Sequence, residues 1–295
     1  MKVPSAGLLI AIAASGCKHQ PEVAPELVDV GSIDNSLEIA PGVHRPLARG
    51  DLAAIAETGR WLHRSQRALA LADAALIEKV GKIDDDVVLP LVDIDPGGAS
   101  GQVVFVRWPN SALSLEPLKA AQAQRWVMVA LTLEPERVID VELLHGAPAP
   151  GSDEARRIEA LLIGGAALQR EAPKQAFYTV DRFVEEPVAE KKRRSRIATV
   201  IYALALDPQG PDLELGVEEH DKRAKHPPAL LRTHLIHGKG TLAADPVAVQ
   251  WPDPHPLSVA RALERDPSAG PMSVRVASGL YRIAGGDGRV ERVGP

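Results

Sequence analysis

One cysteine, Cys17, stands in 295 residues, so no intrachain disulfide can hold this chain and its fold must rest on packing. The same residue closes the most unusual stretch of the sequence, MKVPSAGLLIAIAASGC. Lys2 supplies a short positive start, and Ala6 to Ala14 is an apolar run of about nine residues, the length of a secretory leader's core. A membrane span needs roughly 20 apolar residues, so the run is too short to cross a bilayer. No later stretch approaches that length. A lone cysteine in an exported chain pairs between molecules or stays reactive unless something consumes it.

Ala14-Ser15-Gly16-Cys17 resembles the lipobox of bacterial lipoproteins, in which small residues precede a cysteine that is lipidated and becomes the mature N-terminus. The resemblance covers Met1 to Cys17 and departs from the family at Ala14, where Leu is usual. It implies loss of residues 1–16, lipidation of Cys17 and attachment to the cell envelope through several acyl chains, enough for stable anchoring. Lys18 occupies the place where Asp, in some Gram-negative bacteria, retains a lipoprotein at the inner membrane. The outer membrane is therefore the expected location. The competing reading is an ordinary leader cut near Ala13 or Ser15, with Cys17 a free thiol.

At 45% hydrophobic and 25% charged, the body is ordinary globular material able to bury a core. About 279 residues would remain after cleavage, enough for two domains or one large one. The net charge of −5 becomes one unit more negative without Lys2, so nothing draws the chain to phosphate backbones and no nucleic acid is expected. Aromatic residues make up only 3%, few for a surface that stacks on sugars or bases.

Residues 17–48 are rich in Pro, Val and Glu and read as a tether. Asp51 can cap a helix to Val80, with Leu52, Ile55, Gly59, Leu62, Gln66, Leu69, Asp73, Leu76 and Val80 facing inward. Gln66 and Asp73 interrupt that stripe, which favours one amphipathic helix on a sheet over a coiled coil. From Asp84 the pattern is β: strands at Val87–Ile94 and Gln102–Trp108 about the turn Asp95–Gly101, then Trp126–Leu133 and Val138–His145 about Glu134–Arg137. A short helix is expected at Ser114–Gln124. Ser152 caps a helix whose face is Ile158, Leu161, Leu162, Gly165 and Leu168, ended by Pro173. Gln175–Val184 is the next strand.

The charged stretch 187–196 marks a linker between an α+β domain at 49–186 and a second, β-rich α+β domain at 197–295. Beyond it Val200–Leu206 echoes Val127–Leu133, with identities at Val200/Val127, Ala203/Ala130, Leu204/Leu131, Leu206/Leu133 and Pro208/Pro135. Leu213–Val217, a helix at Leu257–Glu264 and a strand at Ser273–Ile283 suggest a second β-β-α-β unit. The whole reads as α+β, with mixed or antiparallel sheets. The β-β-α-β order over Trp126–Val184, with Asp153-Glu154-Ala155 opening the helix, is similar to the C-terminal domains of TonB- and TolA-type envelope proteins. No residue role carries over.

Candidate chemistry is sparse. His220, His226, His234, His237 and His255 lie near Glu218, Glu219 and Asp221, and a His/carboxylate set can hold zinc. Leu230–His237 reads as a strand, however, and residues three apart on a strand face opposite ways. His234 and His237 could then share a metal only across a bulge. Asp93 and Asp95 begin like a calcium loop, but Val104 stands where its closing Glu belongs, so a Pro-Gly-Gly turn explains them better. Lys191–Arg196 reads as solvated linker rather than a lipid-binding patch. No nucleophile elbow, phosphate loop or dinucleotide fingerprint is present, and no cofactor is expected. The sequence thus points to an envelope-anchored, non-catalytic binding or assembly module. The alternative is an envelope hydrolase or metal-dependent enzyme built on His220, His234, His237, Glu218 and Glu219.

Overall fold

A computed structural model describes residues 37–40, 43–45, 52–81, 87–108, 120–172, 175–187, 195–207, 212–218, 230–237, 254–266, 268, 270–276 and 279–294. Its longest element is helix α1 (Leu52–Val80). Ile55, Gly59, Leu62, Leu69, Asp73 and Leu76 of the expected stripe are buried, and Ala56, Ser65, Ala68, Ala72 and Ala75 widen it. So many small side chains let other elements approach the helix closely. At Gly59 a Cβ would fall 2.3 Å from Val259 Cβ and 2.8 Å from the Pro256 carbonyl oxygen.

Every strand pair among the described residues is antiparallel, which makes the fold α+β. A small hairpin, β1 (Leu37–Ala40) and β2 (Val43–Arg45), comes first. Strands β3 (Val87–Ile94), β4 (Ser100–Trp108), β5 (Gln124–Leu133) and β6 (Glu136–Leu143) form one four-stranded meander. After helix α2 (Asp153–Glu171), strands β7 (Phe177–Pro187), β8 (Ser195–Ala205), β9 (Asp212–Glu218) and β10 (Leu230–His237) form another. Helix α3 (Pro256–Glu264) leads to a three-stranded sheet of β11 (Met272–Val276), β12 (Gly279–Ile283) and β13 (Val290–Gly294).

Several expectations change in detail. Ser273–Ile283 is a hairpin of two strands, because Val276 pairs with Gly279, whose φ of 143° suits glycine. Of the helix expected at Ser114–Gln124, the described part is a single 3-10 turn, Ala120–Gln122. The charged stretch 187–196 joins the longest hairpin, since β7 and β8 pair from Phe177↔Ala205 to Pro187↔Ser195. Residues on both sides of it therefore share one sheet. In the segment compared with TonB- and TolA-type domains, β7 does not pair with β5 or β6, so the four elements do not close a common sheet. The echo matches the third strand of one meander with the second of the other. Its shared Val and Leu positions have a simple cause: Val127, Leu131, Val200 and Leu204 all face the same core.

Strand alternation splits the meanders' apolar residues between two cores. Val88, Val92, Val103, Phe105, Val127, Val129, Val200, Tyr202 and Leu204 pack under α1, α3 and the small sheet. Leu89, Leu91, Val106, Trp108, Ile201, Leu213, Leu215 and Val217 pack against α2. Helix α2 settles onto β8 at Gly164, where a Cβ would meet Ile201 Cδ1 at 2.4 Å. The two sheets thus make a middle layer with helices on both faces. On the α1 side α3 is fastened to β9 by a buried ion pair. Arg261 donates from Nε to Asp212 Oδ2 (2.8 Å) and from Nη2 to Asp212 Oδ1 (2.5 Å) and the Ala205 carbonyl (2.7 Å). Asp212 in turn accepts from the Ala205 amide (2.9 Å).

Asp73 is 5% exposed within that core, and its Oδ1 has no hydrogen-bond partner among the described residues. Burial raises its pKa to about 7. The folded chain therefore holds a proton that the unfolded chain releases near pH 4, so this group's contribution to stability falls between about pH 4 and 7. His63, lowered to about 4 by burial and Arg67, acts in the opposite direction between about pH 4 and 6.5. Asp73→Asn is expected to match wild type in chemical denaturation near pH 4 and to exceed it by a few kcal/mol at pH 8. Gly59→Val, which forces α1 and α3 apart, is expected to lower stability by about 2 kcal/mol in the same assay.

Candidate functional site

The N-terminus of α2 is built as its sequence suggests. Ser152 Oγ accepts from the Ala155 amide at 3.2 Å, and Asp153 and Glu154 place negative charge in the first turn. Glu154 is also a partner for β5, taking bonds from Arg125 Nε at 2.9 Å to each carboxylate oxygen. That bond, more than attraction alone, raises the Arg125 pKa. One helical turn later Arg157 points into the seam between the meanders, where their edge strands β3 and β7 adjoin.

Arg157 joins three segments there. Its Nε donates to Asp181 Oδ2 on β7 (2.6 Å), and Nη2 donates to Asp181 Oδ1 (3.1 Å) and to the β3 carbonyl of Val92 (3.0 Å). Its Nη1 donates to Asp93 Oδ1 (2.7 Å). The Arg157 side chain is 12% exposed and that of Asp181 2%. Burial works against the guanidinium's charge, but Asp181 and then Asp93 outweigh it and raise its pKa.

Beside this clasp opens a cleft of about 670 Å³. Gln102 and Val104 on β4, Arg125 on β5 and the Leu144-His145 segment line one side, and Arg182 and Phe183 on β7 line the other with Trp61 of α1. The aromatic walls each carry an arginine: Arg182 lies 5.5 Å from the Trp61 ring centre and Arg156 5.7 Å from Phe183. Arg182 Nη1 also reaches Thr58 Oγ1 at 3.3 Å. The cleft therefore offers aromatic faces, amide and guanidinium donors, and carboxylates already engaged by arginine. Those are recognition groups.

The sequence candidates fall elsewhere. Cys17, Glu219, His220, Asp221 and His226 lie outside the described residues. Glu218 ends β9, paired with Ala198. His234 and His237 lie on β10 opposite Glu214 and Asp212, and the register slips between Leu235 and His237. The strand thus carries the irregularity that a shared metal would have required. His255 is the N-cap of α3: its Nδ1 accepts from the Leu257 amide (3.1 Å), leaving Nε2 to donate to Glu214 Oε2 (2.9 Å). Among the described residues no group of three or more His, Cys, Asp or Glu side chains is placed to hold a metal ion. Asp93 is bound by Arg157, and Asp95 closes a turn by accepting from the Ser100 hydroxyl, with Gly98 at φ 71°.

Arg157, Asp181, Arg125 and Glu154 were not singled out by sequence reasoning. One signal existed. Asp181 shares one face of the expected strand Gln175–Val184 with Phe177, Thr179 and Phe183, and a carboxylate buried there is stable only if paired. The chain matches no known protein family, no curated protein and no solved structure.

Removing Arg157 leaves Asp181 buried and unpaired, a loss of about 3–5 kcal/mol. Arg157→Met should show that loss in denaturant unfolding. Arg157→Met with Asp181→Asn should recover much of it, giving a large coupling in the double-mutant cycle.

Proposed function

We propose that this chain is a lipid-anchored protein of the bacterial cell envelope, and that its α+β body is a non-catalytic binding module whose docking site is the cleft beside Arg157. The lipobox-like residues 14–17 and the apolar run before them support the anchor. No helix among the described residues is long and apolar enough to cross a membrane. The observation that carries the binding reading is how the cleft's charged groups are used. Asp93, Asp181 and Glu154 are each held by an arginine, a fixed pattern of donors and acceptors framed by Trp61 and Phe183. Such a pattern suits a partner presenting both polar and apolar groups, as another envelope protein does.

The test combines location and binding. Wild type should sediment with membranes, dissolve in detergent and carry an acylated Cys17 by mass spectrometry, whereas Cys17→Ala should be soluble. Cross-linking from the cleft rim in intact cells should trap a defined partner, and Arg182→Glu should abolish that cross-link while leaving the melting temperature near wild type. Soluble wild type with a free thiol would refute the anchor. A cross-link indifferent to Arg182 would refute the cleft.

A further inference from the structure

A second recess, of about 380 Å³, lies on another side of α1 and is lined by Arg60, His63, Arg64 and Arg67, by the acidic residues Glu134, Glu136 and Asp287, and by Gly285 and Gly286 of the β12–β13 turn. The three arginines sit at i, i+4 and i+7, one face of the helix, and span about 10 Å of its axis at 1.5 Å per residue. They are unequally engaged. Arg67 pairs with Glu136 at the recess edge. Arg64 reaches Glu134 only at 3.7 Å, and that carboxylate is 71% exposed, a pair worth little in water. Arg60 donates to the Asp287 carbonyl at 3.2 Å and has no carboxylate partner among the described residues. His63 lines the recess with them, and its buried Nδ1 has no hydrogen-bond partner among the described residues.

We propose that this recess binds a phosphate group, with Arg60 and Arg64 as forked donors and His63 beside them. A carboxylate would do no more than replace Glu134. A phosphate brings more charge and enough oxygens for two guanidinium forks at once. The volume exceeds that of the bare anion, and a Cβ at Gly286 would meet nothing within 4 Å, so the group that carries the phosphate has room on that side. The same chemistry is available from free phosphate compounds and from the head groups of the membrane that would lie nearby.

Full-length protein in uncharged detergent micelles, with its histidines isotope-labelled and His63 assigned by His63→Gln, separates the sources. His63 titrates low, at about 4, and an anion seated against it should raise that pKa by about one unit. If inorganic phosphate produces the shift, saturating below about 10 mM, a free phosphate group is the ligand. If only phosphatidic acid doped into the micelles does so, it is a head group. In either case Arg60→Gln should weaken the response about tenfold, with Arg64→Gln as a second variant and Arg289→Gln unchanged. Failure of both probes to move His63, or an unaltered response in folded Arg60→Gln and Arg64→Gln, overturns the proposal.

Discussion

A guanidinium placed between two sheet edges holds the middle layer together. An edge strand leaves a row of backbone donors and acceptors unpaired, and β3 and β7 bring two such rows close without a shared ladder. Arg157 answers both edges from the third element, α2, by bonding the Val92 carbonyl on one and Asp181 on the other. Lysine could not do this. Only a planar fork with several fixed donors reaches two carboxylates and a carbonyl together. Burying the charge is costly, so Asp181 and Asp93 are needed as much as Arg157 is. The cleft runs beside that seam, so its shape depends on the clasp.

The other organising element, α1, works through size rather than charge. Its alanines and Gly59 let α3 lie against it, and α3 is locked to β9 by Arg261–Asp212 and by the His255 cap bonded to Glu214. Two ion pairs, Arg157–Asp181 and Arg261–Asp212, and the hydrogen bond between His255 and Glu214 thus join elements that are far apart in sequence. Asp73 stands apart, a buried carboxyl whose Oδ1 no described residue satisfies.

Local features were legible in the sequence. The α1 stripe, the strand at Val87–Ile94, the Asp95–Gly101 turn and the Ser152 cap each follow from side-chain periodicity, turn chemistry or a capping hydroxyl within a few residues. What the sequence did not display was pairing at a distance. The stretch 187–196 reads as a linker because its charge is evident, while the ladder joining Glu186 to Arg196 shows only when the strands are folded together. His255 stands in the sequence as one of a group of histidines, and its role is set by its folded neighbours, a helix amide and Glu214. Arg157 was overlooked beside Ile158 because nothing in α2 foretells that a carboxylate 24 residues later will face it.

Native-state hydrogen exchange on Arg157→Gln, compared with wild type, addresses the clasp most directly. If Arg157 welds the two meanders, amides of β3, β7 and the first turns of α2 should lose protection together, while β11, β12 and β13 keep theirs. Unchanged protection in β3 and β7, in a variant shown to lack the Asp181 contact, would mean that the sheets are held by their cores alone and would contradict the account.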